Sequence, residues 1–135
     1  RLTGSFIPGS IVRIQLKNFV TYDFVEFRTG PYLNMIIGPN GTGKSTIACA
    51  ICLGLNFPPN VLGRATELSS FVKQDADSAH IEIELKAPKG KPNLVIRRML
   101  KKPKGSTFTL NGAGATGKEI NVRMAELNVQ VSNLW

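Results

Sequence analysis

The sequence predicts an α/β domain in which a mixed sheet carries an antiparallel β-hairpin. Three observations support this fold class. A run at 33–37 that is apolar except for Asn34 ends in glycine-rich sequence, which is typical of a strand that is buried on both faces and followed by a loop. Residues 45–55 are apolar on nearly every side, which indicates a helix packed deeply against a sheet. Residues 79–85 alternate between apolar and polar, which predicts a half-buried strand.

Shorter patterns predict the elements on either side of the buried helix. Residues 11–16 alternate apolar and polar and predict the first strand, and residues 21–27 do so more loosely and predict the second. After the helix, Thr66 is a suitable N-cap for a short helix within 63–72, where apolar residues recur at helical spacing. The first half of the chain therefore places strands before one buried helix.

The second half predicts a hairpin followed by a helix. Residues 94–100 and 107–110 are predicted strands, and the sequence Pro-Lys-Gly at 103–105 predicts the turn between them. The glycine-rich residues 111–117 have no buried strand before them, so we expect a flexible connector there rather than a nucleotide loop. Apolar residues at helical spacing predict a final helix over 118–127.

Composition limits the class of protein. The 135 residues carry 17 Lys and Arg against 9 Asp and Glu, a net charge of +8. A hydrophobic content of 42% is typical of a globular chain, and two cysteines are too few for a disulfide framework. The longest apolar stretch, Ile47 to Leu55, is too short to span a membrane. We expect one soluble, reduced, basic domain with no membrane association. Because Arg1 is not an initiator Met and a new element begins at Val129, we also expect a piece of a larger protein.

A phosphate-binding motif follows the predicted strand at 33–37. The pattern G-x-x-x-x-G-K-[ST] is matched from Gly38 to Ser45. Its glycines let backbone N–H groups approach phosphate oxygens, and the N-terminus of the next helix adds donors and the positive end of its dipole. Lys44 is expected to reach the β- and γ-phosphates and Ser45 to bind Mg²⁺. The predicted nucleotide-binding residues are Gly38, Pro39, Asn40, Gly41, Thr42, Gly43, Lys44, Ser45 and Thr46.

The acidic groups that complete a nucleotide-hydrolysing site are not found in the sequence. No apolar run ends in an acidic pair, and Asp23, Asp75 and Asp77 lie in polar or turn sequence. The second Mg²⁺ anchor and the base that orients water are therefore missing, so we expect no ATP hydrolysis by this chain alone. Two other functions stay open. One is a complete small P-loop kinase, and the other is a basic nucleic-acid-binding module whose loop only binds anions.

From residue 10 to residue 135 the chain resembles the N-terminal half of the ATPase head of an SMC (structural maintenance of chromosomes) protein. The matching segments are 11–19, 34–46, 51–55, 62–65 and 129–134. The last three most resemble eukaryotic SMC proteins of a DNA-repair and chromosome-maintenance complex. The resemblance implies an ABC-type P-loop head, of which residues 1–135 form the N-terminal lobe, incomplete without a C-terminal lobe.

The resemblance also implies cofactors and partners. Two heads would enclose two ATP molecules with Mg²⁺, Lys44 would be the catalytic lysine, and Arg64 matches a family arginine near nucleotide or DNA. The C-terminal lobe of the same head would supply the signature motif and Walker B. The second head is expected to be that of the sixth eukaryotic SMC protein, with non-SMC subunits attached and a nuclear, chromosome-associated location. The family's Q-loop glutamine would fall beyond Trp135, a position where related sequences carry Cys.

The segment from Lys86 to Lys118 carries nine basic residues and no acidic one. It is either a surface for the phosphate backbone or a solvated hairpin whose lysines protect an edge strand. The resemblance favours DNA, and the scarcity of aromatic residues favours sequence-independent contact with the duplex. Because neighbouring residues of a strand face opposite ways, one of two adjacent arginines is expected to be covered. The predicted DNA-binding residues are Arg97, Arg98, Lys101, Lys102 and Lys104.

Two further groups have structural explanations. Cys49 and Cys52 form a C-x-x-C pair, but they lie within the predicted buried helix and no second pair exists to complete a zinc site. We expect both to be buried core residues. His80 is the only histidine and lies on the polar side of the predicted strand at 79–85 with Glu82 and Glu84, so we expect a solvated side chain.

Overall fold

In the residues that it describes, the computed structural model contains one six-stranded sheet, two α-helices and a short 3-10 helix. It describes residues 9–28, 41–56 and 68–127, without the side chains of 41–45 and 48. The strands are β1 (Ile11–Phe19), β2 (Tyr22–Arg28), β3 (Ser78–Leu85), β4 (Leu94–Lys101), β5 (Ser106–Leu110) and β6 (Ala113–Ala115). The helices are α1 (Gly41–Gly54) and α2 (Gly117–Glu126), and the 3-10 helix spans Leu68–Phe71. Within the described ranges, no helix is both long and apolar enough to cross a membrane.

The strands lie in the order β2-β1-β3-β4-β5-β6. All neighbouring pairs are antiparallel. The predicted hairpin is confirmed, since β4 pairs with β5 and places Met99 opposite Thr107. The described strands contain no parallel pair, so they do not show the predicted mixed sheet. The strand predicted at 33–37 lies outside the described residues.

The apolar face of the sheet carries the core and is covered by α1. Alternation in β1, β3 and β4 directs isoleucine and leucine side chains to this face, and those of the central strands are fully buried. The last turn of α1 lies very close to β3. A Cβ on Gly54 would sit 2.7 Å from Ile83 Cδ1 and 2.9 Å from Ile81 Cγ2. Only glycine therefore allows this approach without a shift of the buried strand residues.

The opposite face carries a charged network centred on Arg13, which is only 9% exposed. Its guanidinium lies 2.7 Å from a Glu82 carboxylate oxygen and 3.0 Å from one of Glu84. Asn93 also donates a hydrogen bond to Glu84 at 2.9 Å. This hydrogen bond, together with the Arg13 charge, holds the pKa of Glu84 below its usual value. Helix α1 does not cover this face of the sheet. Because the charges on it are paired, their side chains can remain half-buried.

The prediction of a flexible connector at 111–117 is wrong in part. Asn111 and Gly112 have φ values of 50° and 88°, so they form a tight turn that returns the chain as β6. Thr116 then caps α2, because its side chain accepts a hydrogen bond from the backbone of Glu119 while the Glu119 side chain accepts one from the Thr116 backbone. The Asn-Gly pair was the signal for this turn.

The remaining helices differ from their predictions mainly in where they begin and end. Helix α1 begins at Gly41 rather than at residue 45, and α2 is confirmed. The short helix predicted within 63–72 is a 3-10 helix at Leu68–Phe71, and its proposed cap Thr66 lies outside the described residues. The Phe71 ring stacks on that of Phe19 with centroids 5.7 Å apart, which joins this segment to the end of β1.

We expect Gly54→Ala to destabilise the protein by about 1–2 kcal/mol. Overpacking of a tight core costs about 1–3 kcal/mol, and the higher helix propensity of alanine returns at most about 1 kcal/mol. The measurement is thermal unfolding of the protein that carries this chain. Gly114→Ala is the matched control, because a Cβ there would meet nothing within 4 Å. Equal midpoints for Gly54→Ala and the control would contradict the close-packing argument.

Candidate functional site

The phosphate-binding motif coincides with the N-terminal end of α1. The backbone from Gly41 to Ser45 is helical, and the first turn contains no acidic residue. The first four N–H groups of any helix lack partners within it, so this end of α1 offers donors and positive dipole to an anion. The side chains of Lys44 and Ser45 are not among those described, and Gly38, Pro39, Asn40 and Arg64 lie outside the described residues.

Beyond the motif, burial fixes the body of α1 on the sheet. Thr46 is half-buried, Ile47 is 4% exposed, and Ile51 and Leu53 are fully buried. The helix can therefore present its N-terminal turn from a rigid base. The prediction of a deeply packed helix directly after the motif is confirmed.

Cys49 and Cys52 are buried in α1, as predicted. Burial raises the pKa of the Cys52 thiol to about 11, so it stays protonated at neutral pH. No cluster of His, Cys, Asp and Glu able to hold a metal occurs among the described residues. A protonated thiol in an apolar core is a packing group rather than a nucleophile or ligand.

The tip of the β4–β5 hairpin presents lysines to solvent. Lys101 and Lys104 are exposed, and no hydrogen bond or ion pair joins their side chains to the described part of the chain. Lys102 is also exposed, but its Nζ donates to the carbonyl oxygens of Lys73 and Gln74 at 3.0 and 2.9 Å. It therefore links the hairpin to the loop before β3.

Arg97 belongs to the charged face of the sheet. Its Nε lies 3.3 Å from a Glu82 carboxylate oxygen, and its side chain is 42% exposed. Neighbouring His80 is half-buried, with Nε2 3.0 Å from Gln15 Oε1, so the expectation of a solvated histidine is wrong. Burial, and then the charge of Arg97, lowers the pKa of His80. The imidazole is therefore neutral at physiological pH and donates to Gln15.

Arg98 points to the opposite face and is only 8% exposed. Its guanidinium donates to Leu53 O at 2.8 Å and to Ser106 Oγ at 3.2 Å, and its Cζ lies 4.6 Å from the centre of the Phe108 ring. This position leaves Arg98 out of any surface that DNA could reach. The sequence carried the signal, because Ile96 and Leu100 share its alternation and mark that side of β4 as buried.

Comparison with known proteins points to one family. The family model described as the RecF/RecN/SMC N-terminal domain matches residues 10–134. Structural maintenance of chromosomes protein 5 of Schizosaccharomyces pombe is 49% identical over 133 residues, and the protein of the same name from Arabidopsis thaliana is 40% identical over 129 residues. The alignments cover 98% and 96% of this chain but only 12% of each relative.

Solved SMC heads share the fold. A structure from work on ATP-driven dimerization and DNA-stimulated activation of SMC ATPases has a TM-score of 0.76 at 27% identity, covering 90% of this chain and 81% of that one. An Smc head domain from Pyrococcus furiosus, bound to the C-terminal domain of ScpA, has a TM-score of 0.72 at 25% identity, covering 90% and 34%. By sequence and by fold, the chain belongs to the RecF/RecN/SMC N-terminal domain family.

Proposed function

We propose that this chain is the ATP-binding N-terminal lobe of an SMC head that acts in nuclear chromosome maintenance and DNA repair. One observation carries the proposal. A complete phosphate-loop motif runs into α1, whose apolar body packs on a sheet that matches solved SMC heads. The similarity to SMC protein 5 of two organisms supports the same assignment.

Each part of the motif has a distinct task in this proposal. The backbone N–H groups of Gly38 and Asn40 and those of the first turn of α1 hold the phosphates, and the Lys44 ammonium neutralises the β- and γ-phosphate charge. The hydroxyl of Ser45 holds Mg²⁺, which screens phosphate charge when bound. Thr46 continues the phosphate site, and Arg64 approaches the nucleotide or DNA. The absence of acid from the first turn of α1 agrees with an anionic ligand there.

The remaining catalytic groups come from other polypeptide segments. We infer that a C-terminal lobe of the same head supplies the acidic residues, and that the head of the sixth eukaryotic SMC protein closes over the nucleotide. The Pyrococcus furiosus head bound to ScpA supports attachment of non-SMC subunits. This chain then contributes phosphate binding, while hydrolysis belongs to the assembled heads.

Lys44→Ala is expected to raise the dissociation constant for ATP at least about tenfold, or about 1.4 kcal/mol, in the full-length protein. The reason is the loss of a positive charge beside the phosphates. Fluorescent ATP-analogue titration measures the effect. Lys89→Ala is the control, since Lys89 is exposed in the turn between β3 and β4. An affinity for Lys44→Ala within about threefold of the parent would refute the phosphate-loop assignment.

The chain alone is expected not to hydrolyse ATP. Its sequence contains no apolar run that ends in an acidic pair, the pattern expected to hold Mg²⁺ and orient water, so turnover requires the separately produced C-terminal lobe and the partner head. Phosphate release is measured with each component alone and after mixing. Turnover by this chain alone that disappears in Lys44→Ala would favour a complete P-loop kinase or NTPase. No turnover in any mixture would favour the anion-binding nucleic-acid module.

The hairpin tip is proposed as a sequence-independent DNA surface. Lys101 and Lys104 are free and exposed, and Lys102 sits between them. Arg97 lies further along the same strand but is omitted, because its Nε lies 3.3 Å from a Glu82 carboxylate oxygen. Arg98 is omitted because its guanidinium is buried against α1. No aromatic side chain of the tip is exposed for base stacking, so the contacts are expected to be with phosphates.

Lys101→Glu combined with Lys104→Glu is expected to weaken duplex DNA binding and leave ATP binding unchanged. Each lost phosphate contact should reduce the slope of log affinity against log salt by about 0.9. The matched control is Lys89→Glu combined with Lys91→Glu, which makes the same charge change in the exposed turn at the opposite end of β4. Affinities are measured at several salt concentrations. Equal losses for the two pairs would mean that net charge, rather than the hairpin tip, controls binding.

A further inference from the structure

The C-terminal end of α1 receives its positive charge from another element. The last turn of α1 contains no basic residue, although the final carbonyl groups of a helix lack partners and form the negative end of its dipole. Arg98 of β4 occupies this position, and its Nη1 donates to Leu53 O at 2.8 Å. Leu53 O also accepts a hydrogen bond from the backbone N–H of Asn56 at 3.2 Å. A charged residue of the sheet therefore adds to the cap of the helix that carries the phosphate motif.

The hydrogen bond to Leu53 O is the main interaction that compensates the buried positive charge of Arg98. The side chain is buried, and no carboxylate within the described ranges pairs with it. Its other contacts are the Ser106 hydroxyl and the Phe108 ring, both of which orient the guanidinium. Burying an unpaired cation is costly, so the partial negative charge of Leu53 O is a substantial part of what holds it there.

Two other contacts fix the same end of α1. Gly54 lies against Ile81 and Ile83 with no space for a side chain. Asn56, just after the helix, donates to Gly117 O at 3.1 Å and to Asn121 Oδ1 at 3.0 Å, which ties the helix end to α2. The end of α1 is thus held at once by β3, β4 and α2, and Arg98 supplies the only charged contact among these three.

We propose that Arg98 is a positioning residue for the phosphate loop. It fixes the axial position of α1 from its C-terminal end and thereby sets where the N–H groups of the first turn meet a nucleotide. A helix of 14 residues spans about 21 Å and transmits a displacement along its axis nearly intact. The inference rests on the proposed binding of ATP at this motif. It assigns to Arg98 a role in nucleotide affinity instead of the DNA contact expected from the sequence.

The test compares Arg98→Met, Arg98→Lys and Arg97→Met in the full-length protein. Methionine fills similar space without a charge, and lysine restores a cationic donor within reach of Leu53 O. Arg97→Met removes the neighbouring charge on the other face, which does not touch α1. We expect the dissociation constant of a fluorescent ATP analogue to rise about tenfold in Arg98→Met, to recover to within about threefold in Arg98→Lys, and to stay at the parental value in Arg97→Met.

Hydrogen exchange of the α1 amides is measured without nucleotide on the same proteins. Faster exchange near Leu53 in Arg98→Met, but not in Arg97→Met, is the expected companion result. Parental ATP affinity in a folded Arg98→Met protein would overturn the inference and leave the proposed function standing. An equal loss in Arg97→Met, or no recovery in Arg98→Lys, would also overturn it. A parent protein that binds no ATP would instead overturn the proposed function.

Milder changes decide the question if Arg98→Met does not fold. Ser106→Ala and Phe108→Leu remove the two groups that orient the Arg98 guanidinium while leaving its contact with Leu53 possible. Each is expected to weaken ATP-analogue binding about two- to threefold, and Thr109→Ala on the opposite face of β5 is the control. Parental affinity in both folded variants would overturn the inference.

Discussion

The close packing of α1 on the apolar face of the sheet is the constraint on which the rest of the structure depends. From Ile47 to Leu55 the chain has no charged residue, so burial is the main interaction that holds the body of α1 on the sheet. Polar contacts from Arg98 and Asn56 are added only at its C-terminal end. Each fully buried isoleucine or leucine contributes about 1.5–3 kcal/mol relative to an exposed one. The phosphate motif lies at the start of this helix. Its position is therefore determined largely by the hydrophobic packing of residues that do not contact the phosphates.

The two faces of the sheet divide the basic residues into separate roles. On the uncovered face, Arg13 and Arg97 are balanced by glutamates and serve as structural ion pairs. On the covered face, Arg98 meets a helix terminus instead of a carboxylate. At the hairpin tip, Lys101 and Lys104 have no ion-pair partner in the described part of the chain, so their positive charge is left uncompensated. A count of basic residues along the chain cannot separate these three environments.

Local pattern was sufficient for most of the fold. The strict alternation at 79–85 predicts strand β3, because a half-buried strand repeats every two residues. The largely apolar stretch at 45–55 predicts helix α1, because a helix buried on all sides needs apolar residues throughout. Strand β6 was missed because Ala-Gly-Ala has little β-propensity and pairs only once the Asn111–Gly112 turn brings it to β5. The phosphate motif was predicted from the spacing of its residues and from the strand and helix around it, whereas the capping of α1 by Arg98 depends on a contact 45 residues distant in sequence.

The opposite orientation of Arg97 and Arg98 also limits how this hairpin can change in length. Residues added between Lys101 and Ser106 enlarge the exposed tip and leave the strand register untouched. One residue inserted within β4 would instead exchange the two faces beyond it, turning Leu100 to solvent and Lys101 toward the core. Related sequences can therefore vary the reach of the basic tip, while the stretch from Leu94 to Leu100 has to keep its length.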